Sequence, residues 1–203
     1  MIDERIYEQF REIGRDLYVG DLISSHGGNI SIRVGDHVII KRRGAQLGRL
    51  KMHDLIETQI DKNDSGVALA STELLVHRMI YQMTPALAVV HCHPRTAIAF
   101  SLSRDEIIPI DNEASYLLKK VPVIWEEFAS GTPEMGKHLA TMLQAYKIVM
   151  LRGHGSFAIG QTIDEAFHWS STLEESCQIA LAAKVINEPF MEYRKMSEAY
   201  SKW

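Results

Sequence analysis

Three histidines in this sequence occupy settings suited to a divalent metal. His91 and His93 lie in Ala88-Val89-Val90-His91-Cys92-His93-Pro94, an apolar run that predicts a buried strand stopped by a proline. Side chains two residues apart on a strand share a face, so His91 and His93 converge while Cys92 points away. His154 lies in Leu151-Arg152-Gly153-His154-Gly155, after a second apolar run. Its flanking glycines permit a sharp turn that leaves the imidazole facing open space. Three neutral imidazoles with one position open form the donor set of a catalytic zinc rather than a closed structural one. The same set also accepts cobalt, manganese or nickel. An H-x-H pair, or a histidine between glycines, is by itself an ordinary strand-end or loop feature.

A carboxylate strengthens the combination. Glu73 stands in Ala70-Ser71-Thr72-Glu73-Leu74-Leu75. There Ser71 or Thr72 is expected to cap a helix running to about residue 83, with Glu73 in its first turn. An acid at that place also suits the helix dipole, by on the order of a few tenths of a kcal/mol. An anion needs backbone N–H groups, small hydroxyls and a helix start. Gly28 with Asn29, Gly44, and Ser71 with Thr72 supply all three. Arg43 adds a guanidinium able to grip an anion with two parallel hydrogen bonds.

The elements that must position these groups follow from periodicity. Ile6, Phe10, Ile13, Leu17 and Tyr18 recur at helical spacing in the first twenty residues. Residues 30–34 and 37–41 alternate about Gly35-Asp36, a hairpin signal, and 55–60 reads as a further strand. After the 87–91 strand, Pro94 can open a helix. Residues 121–125 predict a strand and Thr132-Pro133-Glu134 a helix ending near Tyr146. Residues 148–151 and 156–159 predict strands on either side of His154, followed by a long helix over 162–185 and a short tail helix. The segment 111–116 and the aromatic residues Trp125 and Phe128 read as strand ends and loops. Strands and helices mix without a strict βαβ rhythm, which predicts an α/β protein with a mixed or antiparallel sheet between helices.

Composition narrows the classes. The 203 residues, 46% of them hydrophobic, suit one domain (1–203) with a sizeable core. A net charge of −4 argues against nucleic acid as a partner. No apolar run approaches the roughly 20 residues that span a bilayer, and the charged N-terminus shows no secretory signal. Cys92 and Cys177, far apart, make no disulfide framework, so a cytoplasmic setting is expected.

Gly27-Gly28-Asn29, Arg43-Gly44, Ser71-Thr72-Glu73, His91-Cys92-His93 and Gly153-His154-Gly155 occur in the order of the class II aldolase and adducin-head family. The chain resembles that family, in particular its L-fuculose-1-phosphate aldolase branch, over nearly its whole length. The resemblance implies a three-layer α/β/α fold around a mixed, mostly antiparallel sheet. It implies zinc on His91, His93 and His154, with Glu73 as the acid/base that leaves the metal to move protons. The implied reaction cleaves a sugar phosphate, a ketose 1-phosphate, into dihydroxyacetone phosphate and an aldehyde. Zinc would act there as a Lewis acid on the enediolate formed when the C3–C4 bond breaks. The family's phosphate loops map to Gly28, Asn29, Gly44, Ser71 and Thr72. A homotetramer is implied too, with sites at subunit boundaries that Glu113 or Tyr116 would reach.

Two stretches depart from the branch. Its Thr-Pro-Thr type loop reads Ile40-Lys41-Arg42-Arg43-Gly44 here, which leaves open a phosphate gripped by Arg43, a carboxylate, or an anion held differently. Asp111, Glu113 and Tyr116 stand where the branch places an inter-subunit tyrosine. A ribulose-phosphate 4-epimerase, a methylthioribulose-phosphate dehydratase and a decarboxylase therefore remain alternatives on the same scaffold. Glu73 favours the aldolase, since epimerases carry an aspartate there. A non-enzymatic adducin-like module is a further alternative, disfavoured by the retained histidines.

Overall fold

A computed structural model describes residues 2–127 and 131–193. Asp3 opens helix α1 (Glu4–Val19) by accepting a hydrogen bond from the Arg5 amide, and Phe10, Ile13 and Leu17 bury its inner face. Strands β1 (Asn29–Val34) and β2 (His37–Lys41) form the expected hairpin, with Val34 opposite His37, and β3 (Leu55–Gln59) pairs beside β2. Then come α2 (Leu74–Met83), β4 (Ala88–Cys92), α3 (Arg95–Ser101), β5 (Glu106–Ile107), α4 (Asn112–Leu117), β6 (Val121–Ile124), α5 (Pro133–Leu143), β7 (Ile148–Leu151), β8 (Gly155–Gly160) and α6 (Ile163–Ile186). Among the described residues, no helix is long and apolar enough to cross a membrane.

The strands form one sheet in the order β3-β2-β1-β4-β8-β7-β6-β5. Only β6 and β7 run parallel; every other neighbouring pair is antiparallel. Alternation along the strands splits the apolar residues between two cores, as the three-layer expectation requires. Ala88, Val90 and Cys92 of β4 pack with α1, α3, α4 and α6 on one face. Val89, with Phe157 of β8, packs under α2 and α5 on the other. Since side-chain direction has period two, His91 must share the face of Val89.

Several local expectations change. Helix α2 begins at Leu74, and Glu73 itself is the N-cap residue, making no side-chain capping bond. The Ser71 hydroxyl instead accepts from the Glu73 amide at 3.3 Å. Residues 112–117 are not loop but helix α4, because Asp111 accepts from the Ala114 amide at 2.9 Å and starts it. The two-residue strand β5 had no periodic signal. The expected tail helix lies largely outside the described residues, as does Phe128.

Candidate metal centre

The functional side chains gather at one end of the sheet, where β1, β4 and β8 meet the start of α2. Register brings them together: Asn29 of β1 sits opposite His91 of β4, and His91 opposite Phe157 of β8. Cross-strand neighbours have Cβ atoms about 5 Å apart. Phe157 stacks on the His91 ring with centroids 4.1 Å apart. His93 follows the last residue of β4, held by its amide donating to the Leu22 carbonyl at 2.7 Å. His154 sits in the turn between β7 and β8. Two glycines make the convergence possible. A Cβ on Gly155 would collide with the Cys92 carbonyl oxygen and come within 2.8 Å of the His93 ring. Gly28, at φ +68°, brings its backbone against the His91 carbonyl, where a Cβ would lie at 2.7 Å.

One ligand atom from each of His91, His93 and His154 lies within 4.8 Å of the other two. The Nε2 atoms of His91 and His93 are 3.0 Å apart. Burial, reinforced by His93 and His154, holds His91 well below the usual histidine range, and burial with His154 pushes His93 down to about 4. Both rings are therefore neutral near pH 7. His91 Nδ1 faces the Ser156 carbonyl at 2.9 Å, an atom that only accepts, so Nδ1 carries the proton and Nε2 is a lone pair. That lone pair lies 3.3 Å from Glu73 Oε2, and His154 Nε2 lies 3.9 Å from Glu73 Oε1. His154 Nδ1 is buried with no hydrogen-bond partner. The His91 lone pair and the Glu73 carboxylate, directed at one another, repel unless a cation lies between them. The donor set and its electrostatics fit a divalent metal with nitrogen and oxygen ligands.

Glu73 is 5% exposed at the N-cap of α2, and Asn29 Nδ2 donates to its Oε2 at 2.7 Å. Of the expected anion residues, Gly28, Asn29 and Ser71 are buried beside this cluster, while Arg43, Gly44 and Thr72 are exposed at its rim. The 41–44 and 69–71 segments lie side by side, since the Ser71 amide donates to the Lys41 carbonyl and the Arg43 amide to the Leu69 carbonyl. Glu113 and Tyr116 are not gathered with them. They stand on α4 in the opposite layer, where Glu113 approaches His168 of α6 at 3.7 Å.

Sequence reasoning passed over Lys41. Its side chain is 3% exposed, and its Nζ donates to the His26 carbonyl at 3.2 Å. Burial lowers its pKa to about 8, against the opposing pull of Glu73 and Asp54. A buried ammonium without a carboxylate in hydrogen-bond contact is poised for an incoming anion. The available signal was a lysine ending a strand directly after the apolar run Val38-Ile39-Ile40.

Comparison with known proteins agrees with this architecture. Residues 8–181 match the family described as class II aldolase and adducin N-terminal domain. An L-fuculose phosphate aldolase of Methanococcus maripaludis is 30% identical over 172 residues, 84% of this chain and 93% of that protein. The crystal structure of an L-fuculose-1-phosphate aldolase from Thermus thermophilus aligns with a TM-score of 0.87 at 37% identity, over 93% of this chain and 100% of the other. Human gamma-adducin is 29% identical over 164 residues, 76% of this chain but 23% of that longer protein. The sheet order, the three-histidine cluster and a family match over most of its length agree: the chain belongs to the class II aldolase and adducin N-terminal domain family.

Proposed function

We propose that this protein is a metal-dependent aldolase that cleaves a ketose 1-phosphate into dihydroxyacetone phosphate and an aldehyde. The observation that carries the reading is Glu73, a buried carboxylate held by Asn29 against the Nε2 atoms of His91 and His154. His91, His93 and His154 would hold the metal, with zinc as the expected ion. When bound, it would supply Lewis acidity at the substrate's carbonyl and hydroxyl oxygens and steady the negative charge left by bond cleavage. The chain's own groups do the rest. As the C4 hydroxyl gives up its proton and becomes the aldehyde carbonyl, the C3–C4 bond breaks and leaves its electron pair on C3, and a proton delivered to C3 yields dihydroxyacetone phosphate. Glu73 is the group placed to carry that proton. Its entry from a helix start, with Asn29 as its hydrogen-bond partner, fixes the carboxylate's height above the sheet.

The phosphate would rest where Lys41, Asn29, Gly28 and Ser71 converge, with Arg43, Gly44 and Thr72 at the rim. Lys41 supplies the buried charge that the sequence motif alone left to Arg43. The assembly is proposed as a homotetramer. Leu102 (64% exposed) lies beside Gly153 of the His154 turn, and Trp125 (63% exposed) directly follows β6, the neighbour of β7. Exposed apolar groups beside the site favour an interface there.

The kinship with gamma-adducin favours a second reading, a non-catalytic interaction module. Metal analysis of the purified protein, followed by a retro-aldol assay on L-fuculose 1-phosphate and related ketose 1-phosphates, separates them. One metal per chain with release of dihydroxyacetone phosphate supports the aldolase. Protein that binds no divalent metal sinks it.

A further inference from the structure

Behind Glu73 runs a buried polar row that the reaction scheme above leaves unused. Glu73, His77 and Tyr81 follow one another by four residues, so they share one face of α2. Asn29 and Ser31 alternate on β1 and face that helix. Asn29 meets Glu73, while the Ser31 hydroxyl lies 2.6 Å from His77 Nδ1 and 2.6 Å from the Tyr81 hydroxyl. Ser31 and His77 are 0% exposed and Tyr81 1%. An all-apolar contact would fill this space at lower desolvation cost. Three polar groups in the core between α2 and β1 need a reason.

The proton order can be worked out. His77 Nε2 is buried without a partner. If Tyr81 donates to Ser31 and Ser31 to His77 Nδ1, only the Nε2–H is left over. The reverse order strands the phenol proton and leaves the Nε2 lone pair unused as well. The first order wastes less, because it leaves one buried polar group unpaired rather than two. Burial keeps the ring neutral, its pKa lowered to about 3, with Glu73 the opposing influence. His77 also meets the edge of Phe157, the ring stacked on His91. Nδ1 is committed to Ser31, which leaves Nε2 free, and His77 stands one turn after Glu73 on the same helix face, close enough for that carboxylate to act on its ring. That carboxylate cannot both fill the space between His91 and His154 and reach C3 of a substrate bound there. On the aldolase reading Glu73 leaves the metal to move the proton, and a fixed donor one helical turn away on the same face would receive it.

We propose that Tyr81, Ser31 and His77 form a positioning relay that fixes His77 as its Nε2–H tautomer and presents this N–H to the Glu73 carboxylate when it leaves the histidine cluster. His77 is thus a positioning residue for the acid/base, and this role rests on the aldolase reading above. The fixed tautomer itself does not.

The test uses full-length, zinc-loaded protein labelled with 15N-histidine. The wild type should show His77 protonated at Nε2 and bare at Nδ1, a pattern that Ser31→Ala should abolish. His77→Gln keeps a donor near the Nε2 position, whereas His77→Asn mimics the Nδ1 edge. His77→Gln should keep kcat within about tenfold, and His77→Asn should lose roughly 100-fold in kcat at nearly constant KM and zinc content. A packing role predicts thermal stability losses that are larger for His77→Asn, with kcat of the folded protein unchanged in both variants. An Nδ1–H tautomer in the wild type overturns the proposal without recourse to any variant. If wild-type protein cleaves no ketose 1-phosphate, the aldolase reading and the delivery to Glu73 fail together, while the tautomer spectrum still decides whether the relay exists.

Discussion

His91 Nε2 lies 3.3 Å from Glu73 Oε2, so that an imidazole lone pair faces a carboxylate oxygen with no proton between them. The Ser156 carbonyl enforces this by taking the only ring proton on the other side. The contact is repulsive by itself and attractive around a cation. This one relationship links β4, β8 and α2 to the chemistry.

Metal should therefore bind and stabilise. Zinc at about 100 times its dissociation constant should raise the unfolding free energy by roughly 2.7 kcal/mol. His91→Ala and His154→Ala should each lose both the bound metal and this stabilisation. Elemental analysis with thermal melts checks it; a variant with full zinc content removes that residue from the ligand set.

Glu73→Gln should retain fold and most of the metal but lose turnover by roughly 10²–10⁴-fold, since an amide neither takes nor gives the proton. Steady-state rates on metal-matched protein decide the matter. Turnover near the wild-type value would reduce Glu73 to a helix-start residue.

The anion pocket should rank its members by burial. Lys41→Met should raise KM most, by about 10–100-fold, as expected for a lost hydrogen bond to a charged group of roughly 1.5–3 kcal/mol. Ser71→Ala should raise it less, and Arg43→Ala at the exposed rim least, with kcat little changed. Inorganic phosphate should compete with substrate. Its failure to do so at high millimolar concentration would point to a carboxylate substrate.

Lys41 also makes a prediction about pH. Its folded pKa, about 8, lies below the usual 10.5, so the unfolded chain binds more protons between those values. Stability from this group therefore rises as pH climbs from 8 to 10.5, and the full burial cost is present below pH 8. Metal-free Lys41→Met should be more stable than wild type at pH 7 by roughly 2–3 kcal/mol, a margin that shrinks toward pH 10.5. Denaturant midpoints of the two proteins at pH 7 and pH 10 measure it, and a pH-independent difference would refute it.

Sedimentation should show a species near four times the 23.0 kDa chain mass. Replacing Trp125 and Leu102 by polar residues should shift it toward smaller forms. A fully active monomer would exclude residues donated across an interface.

Much was legible in the chain itself. The two-residue spacing of His91 and His93 at the end of an apolar strand, the glycines around His154 and the hairpin at Gly35-Asp36 are local signals, and the structure keeps each of them. The motif order that implied the family held as well. The start of α2 and helix α4 were misread because capping is decided by single hydrogen bonds, which composition does not encode. What only the tertiary structure decided is proximity between distant segments. Strand register places Asn29 opposite His91, and the seating of α2 brings Glu73 onto that pair. The same packing buries Lys41 and closes the Tyr81–Ser31–His77 row. Lysine, serine and tyrosine are common in any sequence. They become functional candidates only when folding strips them of water and leaves each with few partners, and that depends on the whole core rather than on neighbours along the chain.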